Sequence, residues 1–346
     1  MTSIIVDMVH PANSLFFNHA IREWKRRGAT VTIASREKDV LIPLLDEFGF
    51  EHHKLTTAGT GMLGLGRELV LRDYRLWKLA RKVKADVLVG FGGVAPSHVG
   101  KLAGIPSIAF YDTEWATLQN AITLPFIGEW HVPSTWGGPI AKGRTYHFPR
   151  AKQFAYLHPD YFQPSLEQAK AAGFEEGRDN FLVRVVAWNA NHDQGRSGIG
   201  PERLMEMIDY LSQRGRVHLS TEAELPAQFE DWRYRGTPAQ FHHLLAHCRA
   251  CIGESITVAS EAVILGVPAM VEIDKDTCYV TEQEELGLIL RLPAQSEVAA
   301  GLDRLLALDL QDYREKAGNF ARGGDDLNAY IVEKVLAAAA RAHAHG

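Results

Sequence analysis

Short apolar runs alternate with amphipathic segments from the first residues of the chain onward. Four runs in the first half have the apolar, β-branched character of buried strands: 3–9, 29–35, 85–93 and 105–112. Between the first two, four apolar residues fall on one helical stripe: Phe17, Ala20, Ile21 and Trp24. Gly28 then ends the predicted helix. Strands separated by helices in this rhythm predict a parallel, doubly wound α/β sheet.

The same alternation restarts after an interval of different composition. Residues 137–177 contain four prolines and show no clear strand–helix alternation, which predicts the boundary between two domains. Strand-like runs separated by helical segments then return at 181–188, 216–220, 250–254 and 267–273. We therefore predict an N-terminal domain over 1–150, a linker over 151–176 and a C-terminal domain over 177–325. The alanine-rich end, 326–346, is expected to form a helix that could pack back on the N-terminal domain.

Length and composition agree with two globular domains. A chain of 346 residues is longer than a domain with a single hydrophobic core usually is, and it fits two domains of about 150 residues. The expected fold class is α/β, with two Rossmann-like doubly wound domains facing a central cleft, where such sheets bind ligands. The net charge of −5 argues against nucleic acid as a partner. Since neither a basic leader nor a run of about 18 apolar residues occurs, we expect a cytoplasmic protein without a membrane span.

The chain has three cysteines, too few for a disulfide framework in a protein of this length. Cys248 and Cys251 form an isolated CxxC with His247 beside it. Burial of both thiols in the core is the favoured interpretation, and metal or redox chemistry is the alternative.

The most informative strand end lies in GESITVASEAVILGVPAM, residues 253–270. A strand ends at Gly253, small hydroxyl residues follow at Ser255 and Thr257, and the next helix offers its free N–H groups and its dipole to a phosphate. One turn further on, the carboxylate of Glu261 could accept hydrogen bonds from the hydroxyls of a ribose. The structural alternative is that Ser255 or Thr257 only caps the helix and that Glu261 is solvated or interacts with the dipole. From the residues alone, both interpretations stay open.

This strand, small-residue, helix, EA and LGVP pattern resembles the donor-nucleotide motif of GT-B-fold glycosyltransferases and of the related nucleotide-sugar 2-epimerases. Together with HPANSLFF (10–17), DTEWATLQNAITLP (112–125) and AWNANHDQG (187–195), it also resembles domain-of-unknown-function family 354, a GT-B-like family of predicted glycosyltransferases. The resemblance implies that Glu261 binds the ribose and that the small residues before it bind the phosphates. The donor residues in this region are Gly253, Glu254, Ser255, Ile256, Thr257, Ser260 and Glu261.

The loop at 187–195 ends the first strand of the second domain and is expected to form the other wall of the donor site. We expect His192 to donate a hydrogen bond to the leaving diphosphate, and Gly195 to let the backbone come close. Asp193 and Gln194 would hold the loop or touch the sugar. Because His192 and Asp193 adjoin each other and are the only good ligands here, no metal is predicted, and no cofactor either.

Candidate acid–base residues lie in the first domain. Asp112 and Glu114 follow the buried run SIAFY and would open into the expected cleft. Glu114 matches the glutamate in the His-Val-Glu-Ala loop of the resembled epimerases and is the first choice of catalytic base. The alternative is that Asp112 caps a helix and Glu114 interacts with its dipole. His10, after the first strand, is a further candidate base or hydrogen-bond donor, or else a capping or solvated residue.

Four more residues are assigned to the acceptor side of the site: Asn13, Gly92, Gly93 and His98. Gly92 and Gly93 stand where an epimerase would carry Asp-Thr, which argues against epimerase chemistry. Asn13 stands where family 354 usually has a histidine, which argues against a base at that position. His98 lies one helical turn past the glycines, and core packing is its favoured interpretation.

A basic amphipathic segment occupies residues 61–84. Its seven cations oppose only Glu68 and Asp73: Arg67, Arg72, Arg75, Lys78, Arg81, Lys82 and Lys84. The favoured interpretation is a helix with one face in the core and a solvated basic face. The alternative is peripheral docking on an anionic membrane that holds a lipid-linked acceptor.

Together these observations predict a metal-independent glycosyltransferase of the GT-B type. It would move a sugar from a nucleotide-diphosphate sugar, with UDP as the expected nucleotide, to a polysaccharide, glycoconjugate or lipid-linked acceptor. Two alternatives stay open. One is an enzyme similar to UDP-GlcNAc 2-epimerase, and the other is a protein that binds a nucleotide-sugar without turnover.

Overall fold

A computed structural model describes the protein over residues 1–185, 199–221, 226–272, 278–294 and 296–344. The chain divides into two units. The first comprises Met1–Tyr156 and the segment from Gly324 onward, and the second comprises Leu157–Gly323. Each unit is built around one parallel sheet, so the predicted α/β class with two Rossmann-like domains is confirmed.

The first unit contains a seven-stranded sheet. Its strands are β1 (Ser3–Met8), β2 (Thr30–Glu37), β3 (His52–Thr57), β4 (Val87–Phe91), β5 (Ser107–Phe110), β6 (Glu129–Pro133) and β7 (Thr145–Phe148). Its helices are α1 (Pro11–Arg26), α2 (Leu41–Glu47), α3 (Gly61–Val83), α4 (Val94–Ala103), α5 (Thr117–Thr123), α6 (Phe154–Leu157), which runs to the unit boundary, and α14 (Leu327–Ala344). The strands pair in parallel in the order β3-β2-β1-β4-β5-β6-β7.

Helices cover both faces of this sheet. The chain adds β2 and β3 on one side of β1 and β4 to β7 on the other, and right-handed crossovers then place the connecting helices on opposite faces. On one face α1 packs against α14, and the buried Trp24 donates its Nε1–H to the carbonyl of Val332 at 3.3 Å. On the other face α3 packs against α4. Leu76 and Leu79 of α3 are buried there in the same cluster as Ile5 of β1. The C-terminal helix is therefore part of the first unit.

Polar residues are also buried beneath α3. Asp7, on the otherwise apolar β1, is paired with Arg72, and both side chains are only 4% exposed. Arg72 also donates from Nη1 to Thr56 Oγ1 at 3.1 Å. Glu68 accepts from Arg36 Nε at 2.7 Å and from Thr56 Oγ1 at 3.0 Å. Burial raises the pKa of Asp7, and Arg72 opposes that rise. This network ties α3 to the first three strands.

The second unit contains a five-stranded sheet. Its strands are β8 (Asp179–Val185), β9 (Gly215–Thr221), β10 (Ala250–Gly253), β11 (Ala269–Val271) and β12 (Ile289–Arg291). Its helices are α7 (Leu166–Ala171), α8 (Pro201–Ser212), a 3-10 helix (Ala227–Trp232), α9 (Phe241–His247), α10 (Ile256–Ile264), α11 (Cys278–Glu285), α12 (Val298–Leu306) and α13 (Leu310–Arg322). The strands pair in parallel in the order β12-β11-β10-β8-β9.

The structure adds strands where the sequence pattern is weak. β7 lies inside 137–177, where no clear strand–helix alternation was predicted, and β3, β6 and β12 were not predicted either. β3 and β7 are edge strands of the first sheet, and both are rich in polar, exposed residues because only one neighbour covers them. β6 is an inner strand whose apolar run is interrupted by Glu129 and His131, and β12 has only three residues. The segment predicted as a linker, 151–176, is divided between the units and contains both α6 and α7.

Helix α3 spans 23 residues. No helix in the described part of the chain is both long enough and apolar enough to cross a membrane.

Replacement of Arg72 with leucine should lower the free energy of unfolding by about 3 kcal/mol, because Asp7 would stay buried without its cationic partner. The Lys82→Leu change, on the exposed side of the same helix, should alter it by less than about 0.5 kcal/mol. Urea unfolding followed by circular dichroism measures both variants. Equal unfolding midpoints for Arg72→Leu and the wild type would show that this pair does not hold α3 to the sheet.

Candidate functional site

Each sheet has a point at which the chain reverses its winding direction. In the first unit β1 lies between β2 and β4, and in the second unit β8 lies between β9 and β10. Loops from two neighbouring strands leave toward opposite faces at such a point, which opens a crevice at the carboxyl ends of the strands. The predicted site residues follow β1, β4 and β5 in one unit and β8 and β10 in the other.

Gly253 ends β10 at a place where the backbone leaves no room for a side chain. Its φ is +152°, and a Cβ there would lie 1.9 Å from the carbonyl oxygen of Arg184 on β8. The next residue, Glu254, donates its N–H to that same oxygen at 2.9 Å, and its carboxylate accepts from the backbone N–H of Ile199. Glycine at 253 is therefore required for the close approach of β8 and β10.

Helix α10 begins directly after this turn, at the carboxyl edge of the second sheet. Ser255 is its N-cap, with the side-chain oxygen accepting from the N–H of Val258 at 3.3 Å. Ile256 and Thr257 form the first turn and are half-buried. The capping interpretation of Ser255 therefore holds, and the first turn of this nine-residue helix still presents backbone N–H groups at the carboxyl edge of the sheet.

Ser260 and Glu261 are buried on the next turn of α10. Ser260 Oγ accepts from Gln283 Nε2 of α11 at 2.8 Å. Glu261 Oε2 lies 3.2 Å from His242 Nε2 of α9, and the exposed fractions of these side chains are 5% and 7%. A buried carboxylate needs such a partner. The solvated alternative for Glu261 is thus wrong, and His242 joins the site although no sequence pattern had selected it.

The loop predicted as the other wall of this site follows β8. His192, Asp193, Gln194 and Gly195 lie outside the described residues, and their assignment to the donor site stays a prediction.

In the first unit, His10 and Asn13 form the start of α1. His10 is the N-cap, and its Nδ1 accepts from the N–H of Ala12 at 3.3 Å. Asn13 is buried, and its Oδ1 accepts from the N–H groups of Val9 at 2.9 Å and His10 at 3.0 Å. These hydrogen bonds form a reciprocal capping box, so the observed role of Asn13 is to start α1.

The His10 ring is neutral near pH 7. Although the residue keeps an exposed surface, desolvation lowers its pKa to about 4, and the positive charges of Lys38 and Lys152 act in the same direction. Because Nδ1 accepts the capping hydrogen bond, the ring proton belongs on Nε2. In this tautomer His10 can donate a hydrogen bond to a ligand but has no free basic nitrogen.

Gly92 and Gly93 join β4 to α4. Their φ angles are +83° and +59°, and a Cβ on Gly93 would lie 2.5 Å from that of Ala109 on β5. Gly92 also donates its N–H to the carbonyl of Phe110 at 2.7 Å. Both positions therefore require glycine for backbone reasons, and they bring the turn close to β5.

Asp112 and Glu114 follow β5, and both carboxylates are engaged. Asp112 is buried, with Oδ2 at 2.8 Å from Nζ of Lys152. Glu114 is half-buried and its Oε1 accepts from the backbone N–H of Gly137 at 2.7 Å. Lys152 also lowers the pKa of His10, so its charge acts on the ends of both β1 and β5. It lies in the segment predicted as a linker and was missed for that reason.

His98 bridges three helices. Its Nδ1 lies 2.7 Å from Asp73 Oδ2 of α3, and its Nε2 lies 2.8 Å from the carbonyl of Ile122 in α5. The hydrogen bond with Asp73 raises the pKa of His98, because both ring nitrogens then act as donors. This environment agrees with the packing interpretation of His98 and does not bring its ring nitrogens to the crevice.

The isolated CxxC is part of the core of the second unit. Cys248 and Cys251 are buried, and burial raises the pKa of both thiols. In the part of the chain that the structure describes, no group of three or more histidine, cysteine or acidic side chains is arranged to hold a metal ion.

Comparisons with known proteins agree with this architecture. Residues 2–136, less than half of the chain, match the family model described as "Protein of unknown function (DUF354)", which confirms the predicted resemblance for that part. No curated protein matches the sequence.

Solved structures match almost the whole chain. UDP-GlcNAc 2-epimerase from Methanocaldococcus jannaschii has a TM-score of 0.68 at 14% identity, covering 97% of this chain and 100% of that one. The UDP-GlcNAc 2-epimerase from Neisseria meningitidis, solved bound to UDP-GlcNAc, has a TM-score of 0.69 at 12% identity with the same coverage. CalG4, the calicheamicin glycosyltransferase, has a TM-score of 0.58 at 15% identity and covers 99% of both chains. At these identities the likeness shows a GT-B-like fold.

The His98→Gln variant should lose stability in a pH-dependent way. Since the folded pKa of His98 is raised above its ordinary value of 6.5, its contribution is complete below that value and is lost as the pH rises through the folded pKa. We expect the variant to be less stable than the wild type by about 1 kcal/mol near pH 5.5 and by less near pH 8.5. Urea unfolding at both pH values measures the difference.

Asp73→Asn is the matched variant, because it removes the partner that raises the pKa. Asp73→Asn should abolish the same pH-dependent part of the free energy of unfolding. A constant difference between His98→Gln and the wild type across the range would mean that the imidazolium does not stabilise the fold.

Proposed function

We propose that this protein is a glycosyltransferase that uses a nucleotide-diphosphate sugar, with UDP as the nucleotide, and a glycan or lipid-linked acceptor. The observation that carries the proposal is the β10–α10 junction. There a turn that requires glycine, a capped helix N-terminus and the buried Glu261 occur together at the carboxyl edge of one sheet. One structure with a similar fold was solved with UDP-GlcNAc bound, which supports a nucleotide-sugar as the ligand.

On the donor side, the chemistry is the binding of a diphosphate and a ribose. The first N–H groups of α10 and the hydroxyl of Thr257 would bind the diphosphate, because the helix N-terminus carries partial positive charge. Glu261 would accept from the ribose hydroxyls, and His242 would hold its carboxylate in place. The leaving diphosphate is then stabilised by protein dipoles, so the proposed transfer is metal-independent.

On the acceptor side, Glu114 is the better base of the two carboxylates. Asp112 is neutralised by Lys152 at 2.8 Å, whereas Glu114 accepts one backbone N–H at Oε1. In the proposed step the acceptor oxygen attacks the anomeric carbon of the sugar. The bond from that carbon to the diphosphate breaks, the diphosphate leaves with the electron pair, and Glu114 takes the hydroxyl proton. His10 would donate from Nε2 to the acceptor rather than act as a base.

A 2-epimerase is the second candidate, favoured by the higher TM-scores of the two epimerases. The positive φ angles of Gly92 and Gly93 weigh against it, because an Asp-Thr pair would be strained in this turn. The two functions differ in their products. A transferase releases nucleoside diphosphate only when an acceptor is present, whereas an epimerase converts UDP-GlcNAc alone into its 2-epimer.

The Glu261→Ala variant should bind UDP about tenfold or more weakly than the wild type, because charge-assisted hydrogen bonds to the ribose would be lost. Calorimetric titration with UDP measures this, and circular dichroism checks the fold. Glu202→Ala, on the exposed first turn of α8, is the control and should bind as the wild type does. Unchanged affinity in folded Glu261→Ala would remove Glu261 from the donor site.

The Glu114→Gln variant should reduce the rate of transfer by about 100-fold or more, because an amide cannot accept the acceptor proton. Its affinity for UDP should stay within about twofold of the wild type, since the proposed base does not contact the nucleotide. A coupled assay for nucleoside diphosphate release, with acceptor present, measures the rate. Wild-type activity in this variant would refute the assignment of the base.

A further inference from the structure

Helix α3 exposes an unusual amount of apolar surface. Six of its large hydrophobic residues are exposed: Met62, Leu63, Leu65, Val70, Leu71 and Tyr74. Leu63 is 92% exposed, Val70 71% and Tyr74 55%. The core-facing side of the helix is separate, since Leu76, Leu79 and Ala80 are buried against the sheet. The exposed residues therefore need another explanation than packing within the first unit.

Three of these residues lie on one outward stripe of the helix, with cations between them. Leu63, Val70 and Tyr74 recur at helical spacing on the outward side, and Arg67, Lys78 and Arg81 share that side. Lys78 Nζ lies 5.6 Å from the centroid of the Tyr74 ring, and Arg81 lies 5.2 Å from that of Trp77. From Leu63 to Arg81 the stripe is about 27 Å long.

The acids of α3 do not offset these cations on the outward side. Glu68 is buried and paired with Arg36 at 2.6 Å. Asp73 is engaged by His98 at 2.7 Å. The outward stripe therefore combines apolar residues with charged residues that are all cations. The sequence composition of the segment, which includes two acids, does not show this separation of charge.

The same surface continues onto α4. A shallow groove lined by Trp77, Arg81, Leu102, Ala103 and Ile105 joins the end of α3 to α4. Leu102 is 77% exposed, and Lys101 beside it is exposed as well. We define the α3 face as the outward stripe of α3 together with Lys101 and Leu102.

We propose that the α3 face docks on an anionic lipid bilayer. Leu63, Val70 and Tyr74 would insert at the level of the headgroups, and the cations beside them would contact lipid phosphates. Exposed apolar residues interleaved with cations and an aromatic ring fit the bilayer interface, where polar headgroups lie over apolar acyl chains. A soluble polyanion would engage the cations but would leave Leu63 and Val70 in water.

Charge argues against a second copy of the chain as the occupant. A two-fold contact through this face would set Arg67, Lys78 and Arg81 of one copy against the same cations of the other. No acid on the stripe is free to offset them. Anionic lipid supplies the missing negative charge.

The place of the face in the fold connects it to the proposed transfer. β3 ends at Thr57 and α3 begins at Gly61, so the apolar end of the stripe lies at the carboxyl edge of the first sheet. His10, Gly92 and Asp112 lie at that same edge. The role of docking rests on the proposed function, since it would bring a lipid-linked acceptor to this edge, but docking itself requires neither nucleotide nor turnover.

Co-sedimentation of the full chain with phosphatidylcholine vesicles, with and without phosphatidylglycerol, tests the proposal. We expect binding to the phosphatidylglycerol vesicles and its loss when salt is added, because screening weakens the contact of cations with phosphates. A Leu63→Glu, Val70→Glu double variant should reduce that binding by about tenfold or more, and so should an Arg67→Gln, Lys78→Gln double variant. Ile140→Glu, at a residue that is 60% exposed in the same unit, is the control and should bind as the wild type does.

Absence of wild-type binding to anionic vesicles would overturn the proposal, and so would equal binding by both double variants. Light scattering provides a further check. A dimer that Leu63→Glu, Val70→Glu dissociates would assign the face to a second copy instead. UDP affinity, measured without vesicles, should be the same in this variant and the wild type, so failure of docking and failure of nucleotide binding are distinguishable.

Discussion

Parallel hydrogen bonding between neighbouring strands is the constraint on which both units depend. It sends the carboxyl end of every strand to one edge of its sheet, so loops far apart in sequence meet there. In the first unit this edge gathers His10, the Gly92–Gly93 turn and Asp112. In the second, the N-terminus of α10 follows β10 at the corresponding edge. The candidate site residues therefore lie mostly in these loops, while the central strands stay largely apolar and buried.

Buried charges in this protein are held in pairs that join different elements. Asp7 is paired with Arg72, Asp112 with Lys152 and Glu261 with His242. The pairs of Asp7 and Asp112 avoid the large cost of an unpartnered buried charge. In all three pairs the partner also helps to position the carboxylate. The first pair lies under α3 and is structural. The pair of Asp112 follows β5, the pair of Glu261 lies on the second turn of α10, and both belong to the candidate site.

The sequence pattern predicts the innermost strands well, because β1, β4 and β10 are covered on both sides and read as continuous apolar runs. It does not predict the edge strands β3 and β7, whose polar residues face solvent. It also misses the inner strand β6, where Glu129 and His131 interrupt the apolar run, and the edge strand β12, which has only three residues. For the candidate site, sequence motifs and the family resemblance select Ser255, Glu261 and Glu114 as candidates. It cannot identify His242 or Lys152, because those residues reach their partners only through tertiary packing. Exposure along α3 is likewise a tertiary property, since the sequence does not say which side of that helix the rest of the fold covers.

The central claim is that the β10–α10 junction binds a nucleoside diphosphate. Hydrogen–deuterium exchange of the full chain, with and without UDP, tests it without any substitution. The claim predicts that UDP slows exchange most strongly at the backbone amides from Gly253 to Ile264, where the helix N-terminus would hold the phosphates. Unchanged exchange in this segment at saturating UDP, or protection confined to residues 1–156, would contradict it.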